Sequence, residues 1–355
     1  MKLAEVWDYT ARVESFYVKD GTAMSFKTNE PYMYGHSLSS KCFLQGPVYP
    51  FLWEGSYFLN LEEYDGVPPY DPEVDLVLYA NERVGLMHEY YEKYSVDNIR
   101  KQFPNAVIVG FIKEIPPSFN SGPTFLSPGE APRRAVRKER PINRINLFND
   151  CDFVNMPSIP DGACATIPYL NDLENNINKK IVYTPGLMNV DYLYENYYDN
   201  VKTNSIFAYT PCQHHRRGDT FEFAQYIGKK YNLPVYSKPL PDDKPFYYLS
   251  NHDFIKMWSP HLYHFNLDPT DTQPGQQCKQ VACLGSINIG GRNDSHEVLF
   301  PETATCDWGK LEEVFVKYME DENERFKAIE HAWKSVNEIF GFDSVRKTLI
   351  KEFLQ

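Results

Sequence analysis

The chain has 355 residues, of which 42% are hydrophobic and 24% charged, and a formal net charge of −12. This composition describes a globular protein with room for two separate cores, and no apolar run reaches the length of a bilayer span. The acidic balance excludes a global field that attracts phosphate backbones, so a nucleic-acid partner requires a local basic patch.

The amino-terminal segment from Met1 to Tyr9 carries Glu5 and Trp7 where a signal peptide needs a continuous apolar stretch. The cysteines number 7, without any Cys-x-x-Cys pair, which points to reduced thiols and to neither a disulfide framework nor a zinc site. Both features predict a cytoplasmic protein, in the host cytoplasm if its source is viral.

Asp75–Tyr79 is a continuous apolar run suited to a buried parallel strand, and Ala106–Ile112 is a second. A helix is predicted between them, from about Tyr90 to Gln102, with Ile99 and Phe103 four apart. Together they make a right-handed βαβ unit. A loop rich in Pro, Ser and Gly runs from Pro116 to Pro132. Two more strands are predicted, at Ile145–Phe148 and Lys180–Tyr183.

Tyr183-Thr-Pro-Gly186 reads as a linker, which places a first domain at residues 1–186 and a second at 187–341. The second opens on a strand at Ser205–Tyr209, followed by a helix at Thr220–Tyr231 and a strand at Leu233–Tyr236. Ser250–Asp253 reads as a cap before a helical stretch at Phe254–Trp258, and Tyr263–Leu267 is the next strand. The tail from Trp308 to Leu354 predicts three helices, broken near Asp321 and at Gly341–Asp343, with residues 342–355 as the last. Regular alternation of strand and helix predicts doubly wound α/β sheets.

The stretch from Thr272 to Gly285, Thr-Gln-Pro-Gly-Gln-Gln-Cys-Lys-Gln-Val-Ala-Cys-Leu-Gly, carries the most chemistry. It predicts a turn, a helix starting near Pro274 or Gly275, and a glycine stop before a strand at Ile287–Ile289. A helix start opened by glycine offers unpaired N–H groups and the positive end of the dipole to an anion. This segment resembles the donor-binding helix of GT-B glycosyltransferases, many of which carry Glu-x-Phe-Gly-x4-Glu there. Gly275 takes the glycine position, Thr272 falls on the first glutamate and Gln280 on the second, which grips the nucleotide ribose. Both acids are absent here. Pro185, Gly186 and Asp191 resemble the linker turn of the same enzymes.

The resemblance is best over about Ser205–Pro301. It implies two Rossmann-like doubly wound domains facing a cleft, followed by carboxyl-terminal helices of which the last crosses back to the first domain. It implies a nucleotide-diphosphate sugar as donor, no further cofactor, and transfer to a hydroxyl. Gly275, Gln276 and Gln280 are then donor-binding.

Gln213-His-His-Arg-Arg-Gly-Asp219 follows the first strand of the second domain, where α/β folds bind ligands. Arg216 and Arg217 suit a leaving diphosphate, since guanidinium pairs with phosphate oxygens two at a time. The loop is similar in position to an Arg-containing loop of phage DNA β-glucosyltransferases. In Gly290–Glu297, Gly290 and Gly291 permit close backbone approach, and Asn293, Asp294 and His296 are hydroxyl partners by type. Glu297 and Glu302 are substitutes for the missing acids. Phe111–Pro117 resembles a strand end of the phage enzymes whose aspartate is the base; Lys113 aligns with it and Glu114 follows. Glu114 is the candidate general base.

Arg133, Arg134, Arg137, Lys138 and Arg140 form a basic cluster suited to phosphates. The resemblance to the phage enzymes implies a glycan or a modified base of viral DNA as acceptor, the latter reached by base flipping with this cluster on the flanking phosphates. Other readings stand beside this one. Asp150-Cys151-Asp152 has the Asp-x-Asp spacing of metal-dependent GT-A glycosyltransferases. The same two-domain fold also serves sugar-nucleotide epimerases and non-catalytic nucleotide- or glycan-binding modules.

Overall fold

The computed structural model describes residues 1–7, 13–32, 48–80, 94–111, 140–156, 159, 175–198, 201–208, 220–237, 251–267, 276–291 and 293–355. The chain divides into two compact units. Met1–Pro160, Thr166–Leu187 and Val345–Gln355 make the first, and Met188–Ser344 is the body of the second.

The first unit is built on strands β1 (Leu3–Trp7), β2 (Phe16–Lys19), β3 (Thr22–Ser25), β4 (Tyr57–Asn60), β5 (Leu76–Ala80), β6 (Val107–Phe111), β7 (Phe153–Met156) and β8 (Ile181–Tyr183). Their order across the sheet is β3-β2-β4-β1-β5-β6-β7-β8. From β4 to β8 every pairing is parallel. β2 and β3 form an antiparallel hairpin at one edge. Its two-residue turn, Asp20-Gly21, has φ of 51° and 66°, the positive pair that a type I′ turn needs. β1, β4 and β5 are buried at every position, as strands covered on both faces must be.

Helix α1 (Val96–Gln102) joins β5 to β6, its first turn capped by the Ser95 hydroxyl. Helix α2 (Arg140–Asp150) joins β6 to β7 and corrects one expectation, because Ile145–Phe148 lies inside it. Leu147, Phe148 and Cys151 are buried while Asn146 is exposed, which is the helical period. Phe148 packs so closely on β6 that a Cβ at Gly110 would lie 2.6 Å from its Cδ1.

The second unit has strands β9 (Thr203–Ala208), β10 (Val235–Ser237), β11 (His261–Phe265) and β12 (Ile287–Ile289), all parallel, in the order β10-β9-β11-β12. Its helices are α3 (Val190–Tyr197), α4 (Thr220–Tyr231), α5 (Asn251–Trp258), α6 (Gln276–Cys283), α7 (Asp294–Leu299), α8 (Trp308–Glu320) and α9 (Glu322–Phe340). The chain leaves β9 for β10 on one side and returns to β11 on the other, so the strand order switches at β9. In open parallel sheets ligands bind at the carboxyl ends of strands beside such a switch.

The tail breaks where its sequence says. Asp321 ends α8 and caps α9, its Oδ1 accepting from the Asn323 and Glu324 amides at 2.9 and 3.1 Å. Helix α10 (Phe342–Phe353) follows Gly341. Within the first unit, Arg346 of α10 donates from Nε and Nη2 to the Leu52 carbonyl at 2.9 and 2.7 Å. Phe353 meets the edge of Phe153 with ring centroids 5.5 Å apart. The architecture is α/β, with two Rossmann-like domains and carboxyl-terminal helices.

Candidate functional site

Helix α6 ends as a glycine-stopped helix should. Gly285 adopts φ +69°, its N–H donates to the Ala282 carbonyl at 3.3 Å, and the Ser286 N–H reaches back to Val281 at 3.2 Å. This is the Schellman pattern, which satisfies the last carbonyls and releases the chain directly into β12. Although Gln277, Lys279 and Gln280 are polar, every residue from Gln277 to Gly291 is buried. Lys279 is fully buried, with its Nζ 4.7 Å from the centroid of the Phe340 ring.

At the carboxyl end of β12 the chain turns through Gly290 and Gly291, with φ of 88° and 99°. A Cβ on Gly290 would lie 2.8 Å from Leu267 Cδ1, so glycine answers both conformation and space. The two glycine N–H groups donate to the Thr303 and Thr305 carbonyls at 3.2 and 3.1 Å. Asn293 then caps α7, its Oδ1 accepting from the His296 amide at 2.9 Å. The Cys278 Sγ lies 3.8 Å from the same oxygen, which sets the first turn of α6 against the start of α7. Burial pushes the Cys278 thiol up to about 12, so it is protonated and unreactive at neutral pH.

His296 is 1% exposed, and its ring is committed inside the protein. The Thr303 hydroxyl donates to the Asn288 carbonyl at 2.6 Å, so it accepts from His296 Nε2–H at 3.0 Å. That tautomer leaves Nδ1 to accept from Asn288 Nδ2 at 3.2 Å. Burial lowers the imidazole to about 3, and the ring is neutral. Asn293 and His296 thus hold the turn that carries Gly290 and Gly291.

Gln280 is 5% exposed on α6, one turn after the helix start. Gln276 is the first helical residue. Glu114, Arg216, Arg217, Gly275, Arg133, Arg134, Arg137 and Lys138 lie outside the described residues, and Arg140 begins α2. The strand that leads to Arg216 and Arg217 is β9, at the switch point. The strand that leads to Glu114 is β6.

Asp150-Cys151-Asp152 closes α2 and enters β7. Asp152 accepts from the Ile108 amide at 2.8 Å and from Arg100 Nη2 at 3.0 Å, and Cys151 is buried with its thiol pushed up by burial. The Asp152 carboxylate ties α1 and β7 to β6, a structural role where the alternative GT-A reading has a metal ligand. Among the described residues no group of three or more His, Cys, Asp and Glu is placed to hold a metal ion. Among them, too, no helix is long and apolar enough to cross a membrane.

No protein-family model and no curated protein sequence matches the chain. Solved structures do. Anabaena HepE in complex with UDP is similar over 99% of both chains, with a TM-score of 0.51 at 9% identity. An alpha-glucosyltransferase in complex with UDP and a 13-mer DNA containing a central A:G mismatch covers 85% of this chain and 86% of its own, with a TM-score of 0.51 at 12% identity. Trehalose-6-phosphate synthase OtsA covers 79% and 72%, with a TM-score of 0.51 at 10% identity. At such identities the likeness is one of fold, and the fold is the two-domain GT-B architecture of glycosyltransferases. That architecture displaces the GT-A reading of Asp150 and Asp152.

Proposed function

We propose that the protein is a glycosyltransferase that moves a sugar from a nucleoside-diphosphate donor, held by the second unit, to a hydroxyl acceptor. The observation that carries this reading is the α6–β12–α7 stretch. It places a helix start, a double-glycine turn and a set of buried polar side chains together at the carboxyl edge of a parallel sheet. A helix start there supplies amide donors and positive potential to a diphosphate. The GT-B likeness supports the reading, since HepE was solved with UDP.

In this scheme Gly275, Gln276 and Gln280 face the donor, and Arg216 and Arg217 neutralise the leaving diphosphate. Gly290 and Gly291 shape the floor of the site, which Asn293 and His296 hold in place. Glu114 takes the acceptor proton. No further cofactor is assigned. The acceptor is a glycan hydroxyl or the hydroxyl of a modified DNA base, the latter with Arg133, Arg134, Arg137, Lys138 and Arg140 on flanking phosphates. The alpha-glucosyltransferase complex with DNA makes the second acceptor class worth an arm of the test.

The experiment offers radiolabelled UDP-sugars together with oligosaccharides, unmodified DNA or hydroxymethylated DNA. Label in one acceptor class supports transfer and names the acceptor. Isomerised sugar without transfer identifies an epimerase, and UDP binding without turnover identifies a binding module. Absence of any nucleotide binding removes the proposal.

A further inference from the structure

We propose that Gln277 reads the neutral part of the donor, the portion beyond its phosphates. This rests on the donor site proposed above and adds a residue to it. Gln277 is the second residue of α6 and 8% exposed, and both its amide nitrogen and its amide oxygen are buried without a hydrogen-bond partner. Among the described residues it is the side chain with a donor and an acceptor orphaned together. Folding alone gives no reason for this, because an apolar side chain would fill the same place without stripping an amide of water.

Its surroundings point the same way. Cys278, the next residue, touches the Asn293 cap. Asn266, just beyond β11, and Ser295, in the first turn of α7, also bury a side-chain oxygen with no partner. Three residues with an unmet hydrogen bond thus lie where β11 ends and where α6 and α7 begin. Gln280, one turn further along α6, has no such orphaned atom.

The chemistry narrows the ligand. A primary amide presents an acceptor and a donor side by side. Its complement is an edge with one donor next to one acceptor, as on paired hydroxyls or the imide edge of a pyrimidine base. A phosphate oxyanion only accepts and would leave the amide oxygen unmet. The diphosphate is thus left to the helix N–H groups, and the amide to the sugar, ribose or base.

The test measures binding of UDP, UDP-glucose and pyrophosphate to wild type, Gln277→Met and Gln277→Leu, with the melting midpoint of each free protein. Both variants are expected to bind nucleotide about 10- to 100-fold more weakly, to keep wild-type affinity for pyrophosphate, and to melt no lower than wild type. Weakening of UDP places the edge on ribose or base; weakening confined to UDP-glucose places it on the sugar. Unchanged affinity for both nucleotides overturns the assignment. So does an equal loss for pyrophosphate, which marks damage to the helix itself. If wild type binds no nucleotide, the donor site falls, and this residue's role with it. If wild type binds and the variants match it, the donor site stands and Gln277 alone is discarded.

Discussion

The ammonium of Lys279 rests 4.7 Å from the centroid of the Phe340 ring, so a fully buried cation on α6 sits over the last residue of the 19-residue helix α9. Attraction to the face of that ring is one of the interactions that favour it there, together with the packing of helices α6 and α9. Its four-carbon stem fills core volume beside them.

Lys279→Ala is expected to lower stability by about 2–5 kcal/mol, as large-to-small changes in a packed core do. Lys279→Met keeps most of the volume, so the difference between the two variants isolates the packing share of the loss. Urea unfolding of both variants checks this. Equal losses for Met and Ala would show that the charge outweighs the packing.

Acid should destabilise the second unit well before its carboxylates titrate. Burial holds His296 near 3 against an ordinary 6.5, and lowers His264 and His261 as well. Between those pH values the unfolded imidazole takes a proton that folded His296 refuses. The unfolded state then binds more protons, and stability falls as pH falls. Each such ring contributes a slope of up to about 1.4 kcal/mol per pH unit. Stability measured from pH 7 down to 4 should show the decline, and His296→Gln should flatten it. An identical slope in that variant would remove His296 as a source.

Gly285→Ala is expected to destabilise the protein by about 1–3 kcal/mol. The position has φ +69°, and a Cβ there would collide with the Tyr198 ring. Gly285→Ala in a Tyr198→Ala background separates the two causes. Full recovery would assign the loss to the collision, and partial recovery would leave a share to the backbone.

The diphosphate role predicts that UDP raises the melting midpoint of wild type, because a ligand of the native state alone stabilises it by mass action. Arg216→Ala and Arg217→Ala should each reduce that rise, a charge-assisted hydrogen bond being worth roughly 1.5–3 kcal/mol. Glu114→Gln should leave the rise intact and slow transfer by about 10²–10⁴-fold. Equal thermal shifts in all proteins, or normal turnover in the Glu114 variant, would strip those residues of their roles.

Much of the second unit was legible in the order of its residues. The helix at Thr220–Tyr231, the strand at Ile287–Ile289, the glycine stop at Gly285 and the tail breaks at Asp321 and Gly341 all appear where local chemistry puts them. Each rests on a short-range rule: an apolar period, a left-handed glycine, a capping carboxylate. The GT-B likeness was legible for the same reason, through the spacing of a helix start and its stop.

Other features depended on partners far along the chain. β1 escaped notice because Glu5 interrupts its apolar run. Glu5 is 1% exposed, and donors such as the Trp7 indole and the Tyr49 amide meet its carboxylate at 3.0 and 3.2 Å. Ile145–Phe148 suits strand or helix equally, and packing of Phe148 onto Gly110 decides for helix. The polar run Asp294–Leu299 reads as a loop until Asn288 and Thr303 enclose His296. Asp152 resembles a metal ligand until Arg100 and the Ile108 amide take its carboxylate. Nor does any pattern of residues mark Gln277, since whether an amide finds a partner is settled by everything packed around it. Local propensity is written in neighbours a few residues apart, whereas burial and hydrogen-bond satisfaction belong to the tertiary structure.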